Sequence, residues 1–279
     1  MTGETSAPPP TGEPPRNGEE LTEAEANARL RTLSRRGFAV AGAAALGTLL
    51  GWRWLLRQAT REDDLAWPLR RALQTNREIS EALFSPRRLA PTSSREAVGV
   101  LRPNGTIGLK DADFRLEGWR LQAEGLAGGA ASFSLAELQA LPHVEMTTEF
   151  KCIEGWSTVA HWAGVRLADF ARAHPPPTRS GRRFDLERPD DAPPYLSLET
   201  PDGEYYVGLD TASALHPQTL LAWALNGEPL SEEHGAPLRL VIPVKYGIKN
   251  LKRIGTLAWT TRQPADYWAE LGYDWFAGL

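Results

Sequence analysis

Residues 149–157 have the sequence Glu-Phe-Lys-Cys-Ile-Glu-Gly-Trp-Ser and contain Cys152, the only cysteine of the 279-residue chain. From Val144 to Cys152, apolar side chains mostly alternate with polar ones. This period of two predicts a strand with one buried face. Cys152 falls on the buried face at the strand's end, and Gly155 allows the chain to turn. The stretch therefore predicts an inward-facing thiol at the edge of a sheet.

A lone cysteine is compatible with three roles. It can be a small buried hydrophobe, an activated nucleophile or a thiolate bound to a metal. A nucleophile requires a partner base, and the histidines have no recognisable spacing to Cys152; they are His143, His161, His174, His216 and His234. A protein-built zinc site uses several Cys or His ligands, and no such cluster is present in the sequence. One thiolate can still bind a metal if a cofactor brings the other ligands.

Composition narrows the class of protein. The formal net charge of -4 argues against a general nucleic-acid binder. A single cysteine excludes an internal disulfide framework. The length is enough for one large domain, or two small ones, with a sizeable core.

The N-terminal part is expected to direct export. Residues 1–32 are rich in Pro and Glu and predict a disordered tail. Leu33-Ser-Arg-Arg-Gly-Phe38 is a twin-arginine pattern, followed by an uncharged run to Trp52. Residues 33–57 therefore predict a twin-arginine signal, with an ordinary buried helix as the alternative. No small-residue cleavage site is evident, which favours an uncleaved N-terminal membrane anchor, although the run is short for a full span.

A helical connector over 58–84 is expected to lead into a catalytic domain over 85–279. Within it, Ser134 to Glu137 form a capping box, and Leu167 to His174 have helical spacing before a proline run. Alternation or apolar runs predict strands at 119–125, 195–200, 204–207, 220–225, 238–244 and 254–260. Strands and helices mix without strict alternation, so the predicted class is α+β with a mixed sheet.

Two motifs carry a family resemblance. The first motif resembles the molybdenum-ligand segment of the sulfite oxidase family. It consists of Phe150-Lys-Cys-Ile-Glu-Gly-Trp-Ser157 and His161-Trp-Ala-Gly-Val-Arg-Leu167. The pterin-binding segment of the same family is resembled by a second stretch, His234-Gly-Ala-Pro-Leu-Arg-Leu-Val-Ile-Pro-Val-Lys-Tyr-Gly-Ile-Lys-Asn-Leu-Lys-Arg-Ile254. The resemblance extends over about residues 85 to 265 and is strongest to the branch that contains the periplasmic methionine-sulfoxide reductase catalytic subunit. It implies a sulfite-oxidase-type molybdopterin-binding domain.

The resemblance also implies the site. Cys152 corresponds to the catalytic metal ligand, holding molybdenum that carries one pterin. The implied cofactor-binding residues are Cys152, Thr200, His234, Arg239, Asn250, Leu251 and Lys252. The basic residues around Lys245 to Arg253 would otherwise be interpreted as a solvated surface, but Gly247 and an adjacent apolar strand favour an anion site. The family's usual Asn and Tyr-Glu signature is absent from the start of the domain, which leaves Arg87, Arg88 and Thr92 as candidates there.

The implied activity is two-electron oxygen-atom transfer, with sulfoxide reduction of a small molecule or a protein outside the cytoplasmic membrane. Electrons would come from a membrane haem protein or a cytochrome c. The sequence contains neither a β-sandwich dimerisation domain nor a haem domain, which favours a monomeric catalytic subunit. The alternatives are a sulfite dehydrogenase or oxidase, and a metal-free, membrane-tethered binding module.

Overall fold

The computed structural model describes residues 23–57, 67–85 and 87–279. The chain divides into two units, with the boundary near residue 59. In the first unit, helix α1 spans Glu23–Arg57 and contains the twin-arginine pattern. Residues 23–32 of the predicted tail are part of this helix, while residues 1–22 lie outside the described residues. Across the described ranges, no helix has the length and apolarity that crossing a membrane requires.

The second unit begins its described part with helix α2, Trp67–Leu83. The helix contacts the last residues of the chain. The Arg77 guanidinium lies 5.4 Å from the Trp275 ring centroid, and the rings of Phe84 and Phe276 meet edge to face. Within the connector predicted over 58–84, the helix covers Trp67–Leu83, and this segment packs onto the domain that follows.

The first of two five-stranded sheets has the order β2-β1-β10-β5-β6. Its strands are β1 (Leu121–Glu124), β2 (Ala131–Phe133), β5 (Tyr195–Glu199), β6 (Tyr206–Asp210) and β10 (Thr256–Thr260). β1 and β10 are parallel, with Ala123 opposite Leu257, whereas the other pairs are antiparallel. The predicted α+β class with a mixed sheet is confirmed.

The second sheet carries Cys152 at its edge. It has the order β3-β4-β7-β8, with β9 also paired to β7. Its strands are β3 (His143–Lys151), β4 (Ser157–Arg166), β7 (Leu220–Leu225), β8 (Glu228–Pro229) and β9 (Arg239–Val241). β3 confirms the strand that alternation predicted. β4, its partner along the whole length, was not predicted as a strand.

Burial on both faces explains why β4 lacks a period of two. Trp162 packs into one apolar cluster, and Val165 packs into the other. On the neighbouring β7, Leu220 and Leu221 likewise belong to opposite clusters. A strand that is covered on both sides has no polar face to alternate with its apolar one.

Four short helices complete the second unit: α3 (Leu135–Gln139), α4 (Leu167–Ala173), α5 (Thr211–Ala214) and α6 (Tyr267–Glu270). The predicted capping box at α3 is confirmed, because Ser134 and Glu137 each bond the other's backbone N–H. α4 ends at Ala173 with His174 as its C-cap, immediately before the prolines that were predicted to stop it. The strand predicted over 238–244 is shorter, and it stops before Pro243, which has no backbone N–H to pair.

Candidate cofactor site

Cys152 lies immediately after β3, in a tight turn that faces a cavity. Its backbone N–H donates to the Trp156 carbonyl at 2.9 Å, and its carbonyl accepts from the Gly155 N–H at 3.2 Å. Gly155 has a φ of 87°, a conformation that glycine adopts without a steric penalty. Cys152 is 8% exposed. The turn therefore presents the thiol to the cavity while hiding most of it from solvent.

The cavity wall combines cationic and aromatic side chains. Its cations are Arg102, Arg239 and Lys252, and its aromatic residues are Phe150, Trp156, Tyr205, Trp268 and Tyr273. Cys152, Arg239, Asn250 and Lys252, which the two sequence motifs supply, are thus brought to one cavity. The two motifs meet although they are distant in the chain.

Arg239 is a buried cation without a carboxylate partner in the described part of the chain. Two of its nitrogens donate to backbone oxygens, Nη1 to His234 at 3.1 Å and Nη2 to Asn250 at 3.3 Å. Its Nε is buried without a hydrogen-bond partner among the described residues. Burial lowers the pKa of Arg239 to about 10, so the guanidinium stays charged at neutral pH. A buried charge in this state is costly unless an anion compensates it.

Lys252 connects the cavity wall to the loop that contains Asn104 and Gly105. Its ammonium donates to the carbonyl oxygens of Asn104 at 2.7 Å and Gly105 at 2.9 Å. An ammonium has three N–H donors, so one remains for an anion in the cavity. Burial, and then the nearby charge of Arg239, lower the pKa of Lys252 to about 8. Lys252 is therefore mainly charged at pH 7.

Asn250 lines the cavity and also shapes it. Its side-chain oxygen accepts from the Ile242 N–H at 2.8 Å, and its amide nitrogen donates to the Tyr246 carbonyl at 3.2 Å. These two bonds fix the segment after β9 in the cavity wall. Leu251 lies wholly in the apolar core, and it does not line the cavity.

Thr200 and His234 also lie outside the cavity wall. The Thr200 hydroxyl donates to Asp202 and accepts from the Tyr205 N–H at 3.1 Å. The Nδ1 of His234 is buried without a partner among the described residues. Burial, followed by the charges of Arg239 and Lys252, lowers the pKa of His234, so the ring is neutral at pH 7. The pterin contacts predicted for Thr200, His234 and Leu251 stay predictions.

The candidates at the start of the domain are not brought to this cavity. Arg88 lines a separate cavity beside α2, where its carbonyl lies 3.2 Å from His216 Nε2. Thr92 forms a single bridge to Thr148 on β3. The structure places neither Arg87 nor Thr92 in the wall around Cys152.

Residues that sequence reasoning missed complete the site. The Asn104 side-chain amide donates to the Cys152 sulfur at 3.7 Å. The Tyr205 hydroxyl donates to the Ile248 carbonyl at 2.6 Å and accepts from the Trp268 indole at 3.0 Å. In the sequence, Asn104-Gly105 indicates only a turn, and no local pattern connects Tyr205 with Trp268.

Lys249, one residue before Asn250, supports the wall from behind. It forms an ion pair with Asp266 in which both side chains are 1% exposed. Its ammonium also donates to the Gly208 carbonyl at 2.9 Å. This pairing satisfies the buried charge of Lys249 within the protein, and it leaves Arg239 as the buried cation that faces the cavity.

The donor set suits an anionic cofactor that needs one soft ligand. Arg239 provides an uncompensated buried charge, Lys252 a spare donor, and Cys152 a sulfur at the same cavity. Among the described residues, no group of three or more His, Cys, Asp or Glu side chains could hold a metal ion. The further ligands of a metal at Cys152 would therefore have to come from the cofactor.

Comparison with known families identifies that cofactor. A family model described as "Oxidoreductase molybdopterin binding domain" matches residues 108–268. The protein is therefore a molybdopterin-dependent oxidoreductase. It belongs to the sulfite oxidase family.

Three known proteins illustrate the likeness. YedZ1 of Azospira oryzae, provisionally named as a protein-methionine-sulfoxide reductase subunit, is 34% identical over 70% of this chain and 70% of its own. The protein-methionine-sulfoxide reductase catalytic subunit MsrP of Xanthomonas campestris is 36% identical over 57% of this chain and 50% of its own. The chain thus spans only half of the second relative. The sulfane dehydrogenase SoxCD of Paracoccus pantotrophus is similar in structure over 55% of this chain and 40% of its own, with 21% identity and a TM-score of 0.45.

Proposed function

We propose that this protein reduces sulfoxides, with methionine sulfoxide in proteins as its physiological substrate. Two relatives are named as methionine-sulfoxide reductase subunits, which supports this choice of substrate. The observation that carries the cofactor site is the buried Arg239 guanidinium, which faces the Cys152 cavity without a carboxylate partner among the described residues. Reduction of a sulfoxide to a thioether consumes two electrons and two protons and releases the oxygen as water.

Each residue of the site has a proposed task. Cys152 would bind molybdenum through its sulfur, while Arg239 and Lys252 would hold the phosphate and polar edge of one pterin. Asn250 would keep the wall in place, and the family resemblance adds contacts from Thr200, His234 and Leu251. The molybdenum cofactor, when bound, supplies the two-electron chemistry that accompanies oxygen-atom transfer.

The residues around the opening set its polarity. The Trp156 indole donates to Glu154 at 3.0 Å, and this bond, with a second from Asn104, lowers the pKa of the Glu154 carboxyl. Glu154 is therefore ionised at neutral pH and places a negative charge at the opening. Burial raises the pKa of Tyr205, which keeps its hydroxyl protonated and bonded to Ile248. Water is expected to deliver the protons.

One preparation tests the function. The protein is produced in a host that makes molybdopterin, and its molybdenum content is measured. It is then assayed with methionine sulfoxide and a reduced viologen dye, and separately with sulfite and cytochrome c. We expect equimolar molybdenum and turnover of the sulfoxide. Turnover of sulfite alone would reverse the proposed direction, and a metal-free, inactive protein would indicate a binding module instead.

We further propose that the protein works outside the cytoplasmic membrane and receives electrons from a membrane haem protein or a cytochrome c. The support is the twin-arginine pattern at Leu33 to Phe38 and the uncharged run after it. Residues 33–57 would direct export and, if retained, hold the enzyme at the membrane surface. A fusion of residues 1–57 to a reporter should be exported, and the paired substitution Arg35→Lys and Arg36→Lys should stop it. Export of the double variant at the normal level would contradict this proposal.

A further inference from the structure

A short loop before the family-matched residues contacts the predicted metal ligand directly. Leu101 anchors the loop at 3% exposure, and three of the residues that follow it, Arg102, Asn104 and Gly105, line the opening of the cavity. The side-chain amide of Asn104 donates to the Cys152 sulfur at 3.7 Å. The family model begins at residue 108, so this contact comes from outside the matched region.

Lys252 holds that loop in place. Its ammonium bonds the carbonyl oxygens of Asn104 and Gly105, which are 148 and 147 residues away in sequence. The Asn104 N–H also donates to the Arg102 carbonyl at 2.9 Å, which closes the turn. Gly105 has a φ of 73°, the left-handed region that favours glycine. The turn thus offers two successive carbonyl oxygens to one cation, and the backbone of Asn104 is fixed while its amide points at sulfur.

A hydrogen bond to a ligand sulfur changes the metal that the sulfur binds. The N–H group withdraws electron density from the thiolate, which then donates less to the metal. Hydrogen bonding around a cysteine ligand is a recognised means of tuning reduction potential. In the described part of the chain, Asn104 is the one side chain that donates a hydrogen bond to Cys152.

We propose that Asn104 is a positioning residue that raises the reduction potential of molybdenum through its bond to the Cys152 sulfur, and that Lys252 holds it there. This inference rests on the proposed role of Cys152 as the metal ligand. A higher potential makes the metal easier to reduce, which suits an enzyme that must accept electrons before it takes oxygen from a substrate.

Redox titration of the loaded enzyme, followed by the electron paramagnetic resonance signal of Mo(V), tests the proposal. The variants are Asn104→Leu, which removes the donor, and Asn104→Asp, which replaces it with an acceptor. The matched control is Thr106→Ala, an exposed side chain two positions along the same loop. The signal reports only on molecules that hold molybdenum, so incomplete loading does not affect the measured potential.

We expect a lower potential in Asn104→Leu, a still lower one in Asn104→Asp, and the wild-type potential in Thr106→Ala. The Mo(V) signal should change in the two Asn104 variants alone. Asn104 variants with the wild-type potential and signal would overturn the inference. If Asn104→Leu fails to load, Asn104→Ala, which also removes the donor without adding a charge, takes its place. A wild-type protein without molybdenum would instead contradict the proposed function, so the two failures are distinguishable.

Discussion

The guanidinium of Arg239 lies 4.9 Å from the centroid of the Trp162 ring. Trp162 is fully buried on β4, within the motif that follows Cys152, whereas Arg239 begins β9 in the second motif. A cation over an indole ring is attracted by the ring's negative face, by about 2 kcal/mol when both are desolvated. The two motifs that identify the family are therefore joined by a direct contact that orients the buried arginine.

Replacement of the thiol tests the metal ligand. Cys152→Ser removes the soft sulfur with little change in volume, so we expect the fold to persist. Loss of a residue that merely supports a ligand costs about 10–100-fold, and loss of the ligand itself should exceed this. Circular dichroism checks the fold and the viologen-linked assay checks turnover. Near-normal activity of Cys152→Ser would show that the sulfur does not bind the catalytic metal.

Replacement of Arg239 tests the anion site. Removing one partner of a buried charged contact costs about 2–5 kcal/mol, so Arg239→Met should lose most of its pterin and molybdenum. Arg239→Lys is the matched control, because it keeps the charge but loses the forked donor, and it should retain an intermediate amount. Cofactor content per protein is the measurement. Full loading of Arg239→Met would place the cofactor elsewhere.

Because the Lys245 ammonium is buried, we expect the free energy of unfolding to depend on pH. Its ammonium is buried over the Phe276 ring, has no hydrogen-bond partner among the described residues, and lies 3.8 Å from the Asp210 carboxylate. Burial lowers the pKa of Lys245 to about 7. The charged groups that act on it are Asp210, Lys249, Asp274 and Glu81. Below pH 7, the folded protein therefore carries the full cost of burying this charge.

Between about pH 7 and 10.5, an unfolded lysine binds more protons than the folded one, so Lys245 makes stability rise with pH by up to about 1.4 kcal/mol per unit. Lys245→Met should flatten this slope, because the titrating ammonium is gone. Urea unfolding at several pH values is the measurement, with the exposed Lys110→Met as control. An unchanged slope in Lys245→Met would contradict the prediction.

The close approach of β4 and β7 at Gly164 leaves no room for a side chain. A Cβ at this position would lie 2.3 Å from the Leu221 carbonyl oxygen, at a register shift between the two strands. Gly164→Ala should therefore destabilise the fold by about 1–3 kcal/mol through overpacking. Gly128→Ala is the control, because a Cβ there meets no atom within 4 Å, and it should change stability by less than about 0.5 kcal/mol. Equal midpoints of thermal unfolding for the two variants would contradict this expectation.

Local signals allowed much of the fold to be predicted. β3 follows from alternation, α3 from its capping box, and α4 from its apolar face and the prolines after it. β4 could not be predicted in this way, since both of its faces are buried and its apolar residues run without a period. The pairing of β1 with β10 also has no local signal, because it joins segments at opposite ends of the domain.

The site was predictable only where a motif carried it. Cys152, Arg239, Asn250 and Lys252 came from two contiguous motifs and meet at one cavity. Asn104 did not, because its role depends on a bond to Lys252 across 148 residues. Residues that belong to a motif can be recognised in the sequence. Contacts between residues that are far apart in the sequence are seen only in the folded chain.

The position of β10 has a consequence for synthesis. Of the five strands of the first sheet, β10 is synthesised last, yet it lies between β1 and β5, so this sheet exists as two separate hairpins until residue 260 is available. Each hairpin then exposes an unpaired edge and an apolar face, which favours association with other chains. The nascent chain is therefore expected to need shielding by a chaperone until residue 260 has emerged, and cofactor insertion would be a late event.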